Sequence, residues 1–249
     1  MARSNLVSEP TFPPLLSGRP VAAGEDAFAA ALNACKAGDA GAGDVFWSRS
    51  QAVMDVAVVL EPDVPAARSL QMLFVAMVAF GDSFGAIGPP EVGIFYRWPN
   101  QMLINDARFG EARVGLPDGP GDAVPDWLVV GLVVHIHPDE RGPEPGHDLL
   151  NTSLWYEGAG DIDRTMLIES YSRHFLTWIN NWGDDGFKPV HENWIGRAIG
   201  HDEVIDIDWH GKRHKGKFLS IDEEGNLLLK RKKDTVSLPV ADIVARAGA

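Results

Sequence analysis

The segment from Val92 to Val114 constrains the fold of this chain more than any other. Val92-Gly93-Ile94-Phe95-Tyr96 has the apolar, β-branched and aromatic content of a strand, and Pro99 has no N–H for a ladder, so the strand should end near Trp98. A bend must follow. Met102-Leu103-Ile104 is a second short apolar run, Asn105-Asp106-Ala107 has turn composition, and Ala112-Arg113-Val114 resumes strand character. The segment therefore reads as strand, bend and hairpin, and it gathers Arg97, Trp98, Asn100 and Arg108 at one end of a sheet.

With 249 residues and 45% hydrophobic content, the chain is long enough for one large domain or for a domain with a small appendage. A net charge of −13 argues against binding a nucleic-acid backbone, which needs clustered Lys and Arg to displace counterions. The stretch before Pro20 is also too short and too rich in proline for a helix-turn-helix. Cys35 is the single cysteine, which excludes an internal disulfide. The first residues lack a basic start followed by an apolar core, so a cytoplasmic protein is expected. The longest apolar run, Leu70 to Phe80, falls short of the roughly 20 residues that cross a bilayer, so no membrane partner is expected.

Along the chain, Met1 to Gly18 reads as an extended arm anchored by Phe12, Leu15 and Leu16. From Asp26, the spacing of Phe28, Ala31, Leu32 and Cys35 predicts a helix that Gly38 stops, with Cys35 as packing. Asp44–Ser48 and Asp55–Pro62 read as paired strands, with Arg49 and Gln51 in the short connection. Ala66 to Phe84 predicts a buried helix, on which Asp82 is a solvated or capping residue. Trp127 to Ile136 is the most β-like run, and Gly131 in it permits close backbone approach. His135, His137 and Asp139 alternate, with His147 and Asp148 ahead; exposed imidazoles at a loop edge explain this better than a metal site, and none is assigned. Asn151 to Tyr156 reads as a short strand. Asp161 or Asp163 caps a helix whose stripe is Leu167, Tyr171, Phe175, Trp178 and Trp182. Beyond a boundary near Ile195, four short strands from Glu203 to Pro239 predict a small barrel. From Val204 on there are 9 Lys or Arg against 7 Asp or Glu, a basic pole of +2 against −15 for the rest. Its lysines serve edge protection or steer an acidic partner.

Arg97-Trp98-Pro99-Asn100-Gln101 resembles the Lys-Trp-Pro-Asn-Asp signature of the biotin and lipoate protein ligases. Register from Asn100 brings that family's hairpin lysine onto Arg108, and Leu128 to His135 falls where the family has an apolar strand ending in a Gly-rich turn. The resemblance implies an α+β fold: a mixed, largely antiparallel sheet of the class II synthetase type with helices on one side, over residues 1–195, followed by an SH3-like β-barrel over 196–249. It implies ATP with Mg as cofactor, biotin or lipoate as substrate, and a biotinyl or lipoyl carrier domain as partner. Arg108 then takes the catalytic place, and Arg49, Gln51, Arg97, Trp98, Asn100, Gly110 and Gly131 bind substrate or adenylate. The chain departs from the pattern at Gln101, at Arg108 and in the β-hairpin after Ser48, which lacks the family's Gly- and Arg-rich phosphate loop.

Two functions stay open. One is an ATP-dependent ligase that forms an acyl-adenylate and passes the acyl group to a carrier lysine, with Arg108 steadying the phosphate charge. The other is a catalytically degenerate relative that binds an acyl ligand or a carrier protein. Acyl transfer without ATP is a third route and needs Cys35 as nucleophile.

Overall fold

The structure, a computed structural model, describes residues 9–138 and 148–247. In chain order the elements are β1 (Ser17–Val21), α1 (Ala27–Ala37), β2 (Asp44–Ser48), β3 (Val53–Leu60), α2 (Ala66–Ser69), α3 (Met72–Ile87), β4 (Phe95–Arg97), β5 (Gln101–Ile104), β6 (Ala107–Pro117) and β7 (Leu128–His135). They continue with α4 (Arg164–Asp185), α5 (Lys188–Ile195), β8 (Val204–Trp209), β9 (Lys212–Ile221), β10 (Leu227–Lys230), β11 (Thr235–Leu238), a 3₁₀ turn (Val240–Ile243) and β12 (Ala245–Ala247). Local chemistry sets several of these limits. Asp26 and Asp163 cap α1 and α4 by accepting from the N–H groups of Ala29 at 3.0 Å and Met166 at 2.8 Å. Asn105 and Asp106 have φ of 49° and 66°, the paired left-handed residues that a two-residue hairpin requires.

The main sheet runs β1-β2-β3-β7-β6-β5-β4, with β12 beside β6. β1 with β2 and β12 with β6 are parallel and the other pairs antiparallel, so the sheet is mixed and largely antiparallel, as expected. Helices, however, cover both of its faces rather than one. Met54, Val56 and Val58 of β3 join the cluster of α3 and α4, while the alternate Ala57 and Val59 meet Ala27, Phe28, Ala31 and Cys35 of α1. The sequence hides this because the central strands are apolar on both sides. Gly131 lies under α1: a Cβ there would stand 2.6 Å from Phe28 Cδ2, so its lack of a side chain serves helix packing rather than approach of a ligand.

α3 is buried all round, with Leu73 through Phe80 at 0% exposure. Ala66–Ile87 is long and apolar enough to cross a membrane, but its most apolar window is 78% buried inside the protein, as a core helix is. The second sheet, β11-β10-β9-β8, is antiparallel and compatible with the small barrel expected there. Its Phe218, Leu227 and Leu229 belong to the same apolar cluster as α3. Asp82 is half-buried and not a cap: it accepts from Arg197 at 2.8 Å and from the Trp178 indole at 2.9 Å, beside Tyr96. Burial pushes the Tyr96 hydroxyl up to about 12, which keeps it a neutral donor to the Met77 carbonyl.

Two local expectations differ. Asn151 to Tyr156 is a bridge and turns, not a strand, because the Leu154 and Trp155 N–H groups bond the His135 and Ile136 carbonyls beyond the end of β7. In the arm, Phe12 and Leu16 pack on the core, but Leu15 is 85% exposed at φ 79°. Because Phe28 closes over Gly131, Gly131→Ala should displace α1 and cost about 1–3 kcal/mol in urea unfolding; an unchanged midpoint would remove this account of the glycine.

Candidate functional site

α1 covers only part of its face of the sheet. Along β7 the residues on that face are Val129, Gly131, Val133 and His135; the first two are buried against α1, Val133 is half-buried and His135 exposed. The face therefore opens at Val133. Residues paired directly across antiparallel strands share a face, and the ladder sets Asp55, Val133, Glu111, Gln101 and Arg97 side by side across five strands. At about 4.8 Å per strand that row is roughly 19 Å long. Phe95, Leu103 and Arg108 begin a second, parallel row.

A bulge sets the orientation of Arg108. The β5–β6 register shifts between Met102 and Leu103, leaving Phe109 as an extra residue that packs against Phe80 on the opposite face, 5.9 Å between ring centroids. Arg108 and Glu111 consequently stand together on the open face, with Nη1 and Oε2 3.5 Å apart. Arg108 Nε also donates to Asn151 Oδ1 at 3.1 Å, and Asn151 Nδ2 donates to Asp148 Oδ2 at 2.9 Å. Asn151 and the Leu150 N–H hold the Asp148 carboxyl below its ordinary range.

Arg113, one register step away, reaches Asp26 with Nη1 at 2.7 Å and lies with Nε 3.4 Å from Glu111, an ion contact without hydrogen-bond geometry. Burial alone would raise the Asp26 carboxyl, but the Ala29 N–H and Arg113 outweigh it and bring it below the ordinary value. Asp55 is the contrasting group. It is 8% exposed, its Oδ2 accepts from the Ala27 N–H at 2.9 Å, its Oδ1 has no hydrogen-bond partner among the described residues, and burial raises its pKa. The open face thus pairs cations that can meet an anion, Arg97 and Arg108, with carboxylates that can meet a hydrogen-bond donor or cation.

Of the residues marked in the sequence, Arg97 and Arg108 share this face, and Arg97 has no ion-pair partner among the described residues. Trp98 does not belong to the site. Its ring is 5% exposed, packs on Trp209 at 4.6 Å and donates to the Gly225 carbonyl at 2.9 Å, so it fastens the second sheet to the first. Asn100 ties the bend by donating to the Ala112 carbonyl at 2.8 Å. A Cβ at Gly110 would meet the Val133 carbonyl oxygen at 2.6 Å and Met102 Cε at 2.8 Å, on the packed side of the sheet. Arg49 pairs with Glu9 and lies over Trp47, and Gln51 is exposed in the hairpin with its amide donating to the Arg49 carbonyl. Cys35 is buried and its thiol is pushed up to about 11 by desolvation, first, and by Asp44, which makes it an inert packing group.

Among the described residues no group of three or more His, Cys, Asp or Glu is placed to hold a metal ion. His137 lies against Trp155, ring centroids 5.4 Å apart, while Asp139 and His147 lie outside the described residues. A cavity of about 1120 Å³ lies between α2, α5 and the second sheet, lined by Arg68, Gln71, Phe187 and His191 among others; it shares no residue with the open face. Sequence reasoning missed Asp55, Glu111, Arg113 and Asn151. The first three carry a signal that was available: polar residues at period 2 in apolar strands, with Asp55 alone in Val53–Leu60 and Glu111 alternating with Arg113.

Residues 12–196 match the sequence pattern that defines the Biotin/lipoate A/B protein ligase family. The chain belongs to that family. It is 27% identical over 189 residues to the biotin–[acetyl-CoA-carboxylase] ligase of Paracoccus denitrificans, covering 75% of this chain and 77% of that protein. It is 28% identical to the bifunctional ligase/repressor BirA of Bacillus spizizenii over 76% of this chain and 57% of that protein. Among solved structures, a biotin protein ligase-like protein of unknown function from Silicibacter sp. TM1040 superposes with a TM-score of 0.86 at 35% identity, over 95% of this chain and all of the other. The Aquifex aeolicus biotin protein ligase in complex with biotin shares the fold, with a TM-score of 0.71 at 16% identity over 90% of this chain and 96% of that one.

Two outcomes follow from these placements. Trp98→Ala should cost about 3–5 kcal/mol in chemical unfolding, the scale for deleting a buried indole; a loss near zero would mean that Trp98 does not clamp the two sheets. Asp55 has a folded pKa above its unfolded value, so it lowers stability as pH rises from the unfolded carboxyl value through the folded one. The stability of Asp55→Asn relative to the parent should therefore increase across that acidic window and then level off, as measured by urea unfolding against pH. A difference that is flat in pH would contradict the assignment.

Proposed function

We propose that this member of the biotin/lipoate ligase family binds a small acyl acid on the open half of its sheet and does not build an acyl-adenylate there. Glu111 is the observation that carries this reading, because its carboxylate lies beside both Arg108 and Arg113. It cancels one of the two guanidinium charges beside it, so an anionic phosphate brought within about 6–8 Å loses about 2–3 kcal/mol of attraction at an effective dielectric near 20, and a multiply charged phosphate loses more than a single carboxylate. The hairpin between β2 and β3 adds nothing to offset this: it has no glycine to form an anion-binding nest, and Arg49 is engaged by Glu9. The described residues thus give the phosphates of ATP only a weakened cationic site. A single carboxylate is easier to accept, since Arg97 has no ion-pair partner among the described residues and Arg108 shares its charge among neutral Asn151, Glu111 and solvent.

The second reading is an ATP-dependent ligase that attaches biotin or lipoate to a carrier lysine. Arg108, a permanent cation at the tip of the hairpin on the open face, favours it, as do the curated relatives that are named as ligases. In that reading the basic face of the second sheet, with Lys212 and Lys215 exposed, receives an acidic carrier domain. Labelled pyrophosphate exchange into ATP with biotin, lipoate and octanoate separates the two. The binding reading expects none above background, and a thermal shift with at least one of these acids that falls in Arg97→Gln. Exchange with any acid that disappears in Arg108→Ala would establish the ligase instead.

A further inference from the structure

The same row of side chains says more about the ligand, given the reading above that the open face takes a small acid. Its two ends differ in sign. Arg97 stands at the β4 end without an ion-pair partner among the described residues, whereas Asp55 and Glu111 flank Val133, the point where the face opens. Asp55 is more than nine-tenths buried with Oδ1 unbonded. A buried carboxylate oxygen without a donor costs about 1–3 kcal/mol, more than the same group exposed, so such an oxygen beside an opening marks a place where a donor is expected from outside. The cations nearest to it do not meet that need. Arg113 spends its Nη1 on Asp26 and turns Nε toward Glu111, and the Ala27 N–H is already used by the other Asp55 oxygen.

We propose that the ligand is an ω-amino acid or similar zwitterion of medium chain length, its ammonium between Asp55 and Glu111 over Val133 and its carboxylate at Arg97. The spans agree. Val133 and Arg97 are three strands apart, roughly 14 Å at the Cα level, and the Arg97 side chain shortens this to the roughly 10 Å of an extended eight-carbon chain. Between the poles the chain lies along the half-buried Gln101 and the neighbouring Phe95, which is 44% exposed, while Leu103 beside them is fully buried and takes no part. Glu111 then has a role: it repels a second anionic group and pairs with the ammonium.

The test uses the whole protein and a matched set of probes: ω-aminooctanoate, octanoate, octylamine, biotin and lipoate, titrated by calorimetry and thermal shift. ω-Aminooctanoate should bind at least about tenfold more tightly than octanoate, as a charge-assisted hydrogen bond in a partly buried site warrants. That preference should vanish in Glu111→Gln and in Asp55→Asn, with folding checked by circular dichroism, while Arg97→Gln should weaken both acids and spare octylamine. Octanoate, biotin or lipoate binding as well as ω-aminooctanoate overturns this inference and leaves the acid-binding reading standing. So does a preference that survives in Glu111→Gln. Binding of none of the probes overturns both.

Discussion

The arrangement rests on how the first turn of α1 is planted on the sheet. The Ala27 N–H donates to Asp55, Asp26 holds Arg113, and Phe28 closes over Gly131, so three neighbouring strands are fixed to one helix end. The carboxylate of Asp55 also sits at the positive end of the helix, where the unpaired N–H groups favour it and partly offset its desolvation. Toward β4 from that anchor, no helix among the described residues lies above this face. The boundary between packed and open sheet is therefore drawn by a few polar contacts on a surface that is otherwise apolar on both sides.

Much of the fold was legible in the sequence because its cues are local. A helix starting at Asp26, Asp161 or Asp163 as the cap of α4, Asn105-Asp106-Ala107 as a turn and the stripe of α4 all follow from short-range chemistry; the structure starts α1 after Asp26, takes Asp163 as the cap and turns at Asn105 and Asp106. Helices on both faces were not legible, because β3 and β7 are apolar at successive positions and periodicity cannot assign a side. The site was legible in part. Arg97 and Arg108 do share a face, but only a bulge at Phe109, which no residue type announces, turns Arg108 and Glu111 to the same side. Trp98 and Asn100 were read as site residues because they lie within a recognisable run, and their partners, Gly225 and Ala112, come from distant strands and turns.

Membership of the biotin/lipoate ligase family supplies the scaffold and does not fix the activity. What this chain places on the scaffold is a different charge pattern: Arg108 and Arg113 are each drawn toward Glu111, and a half-satisfied, buried Asp55 lies in register with Val133, where the face opens. Surface ion pairs of this kind contribute little to stability. Their consequence is for the potential a ligand meets, since an anion approaching the cations also approaches the carboxylates.

Glu111 is where this account is most exposed, and one titration addresses it. ATP should give no measurable binding heat with the parent protein, and binding should become measurable when Glu111→Gln removes the negative charge beside Arg108 and Arg113. If the parent already binds ATP as tightly as Glu111→Gln does, the carboxylate does not govern which ligands this face admits, and the charge argument fails.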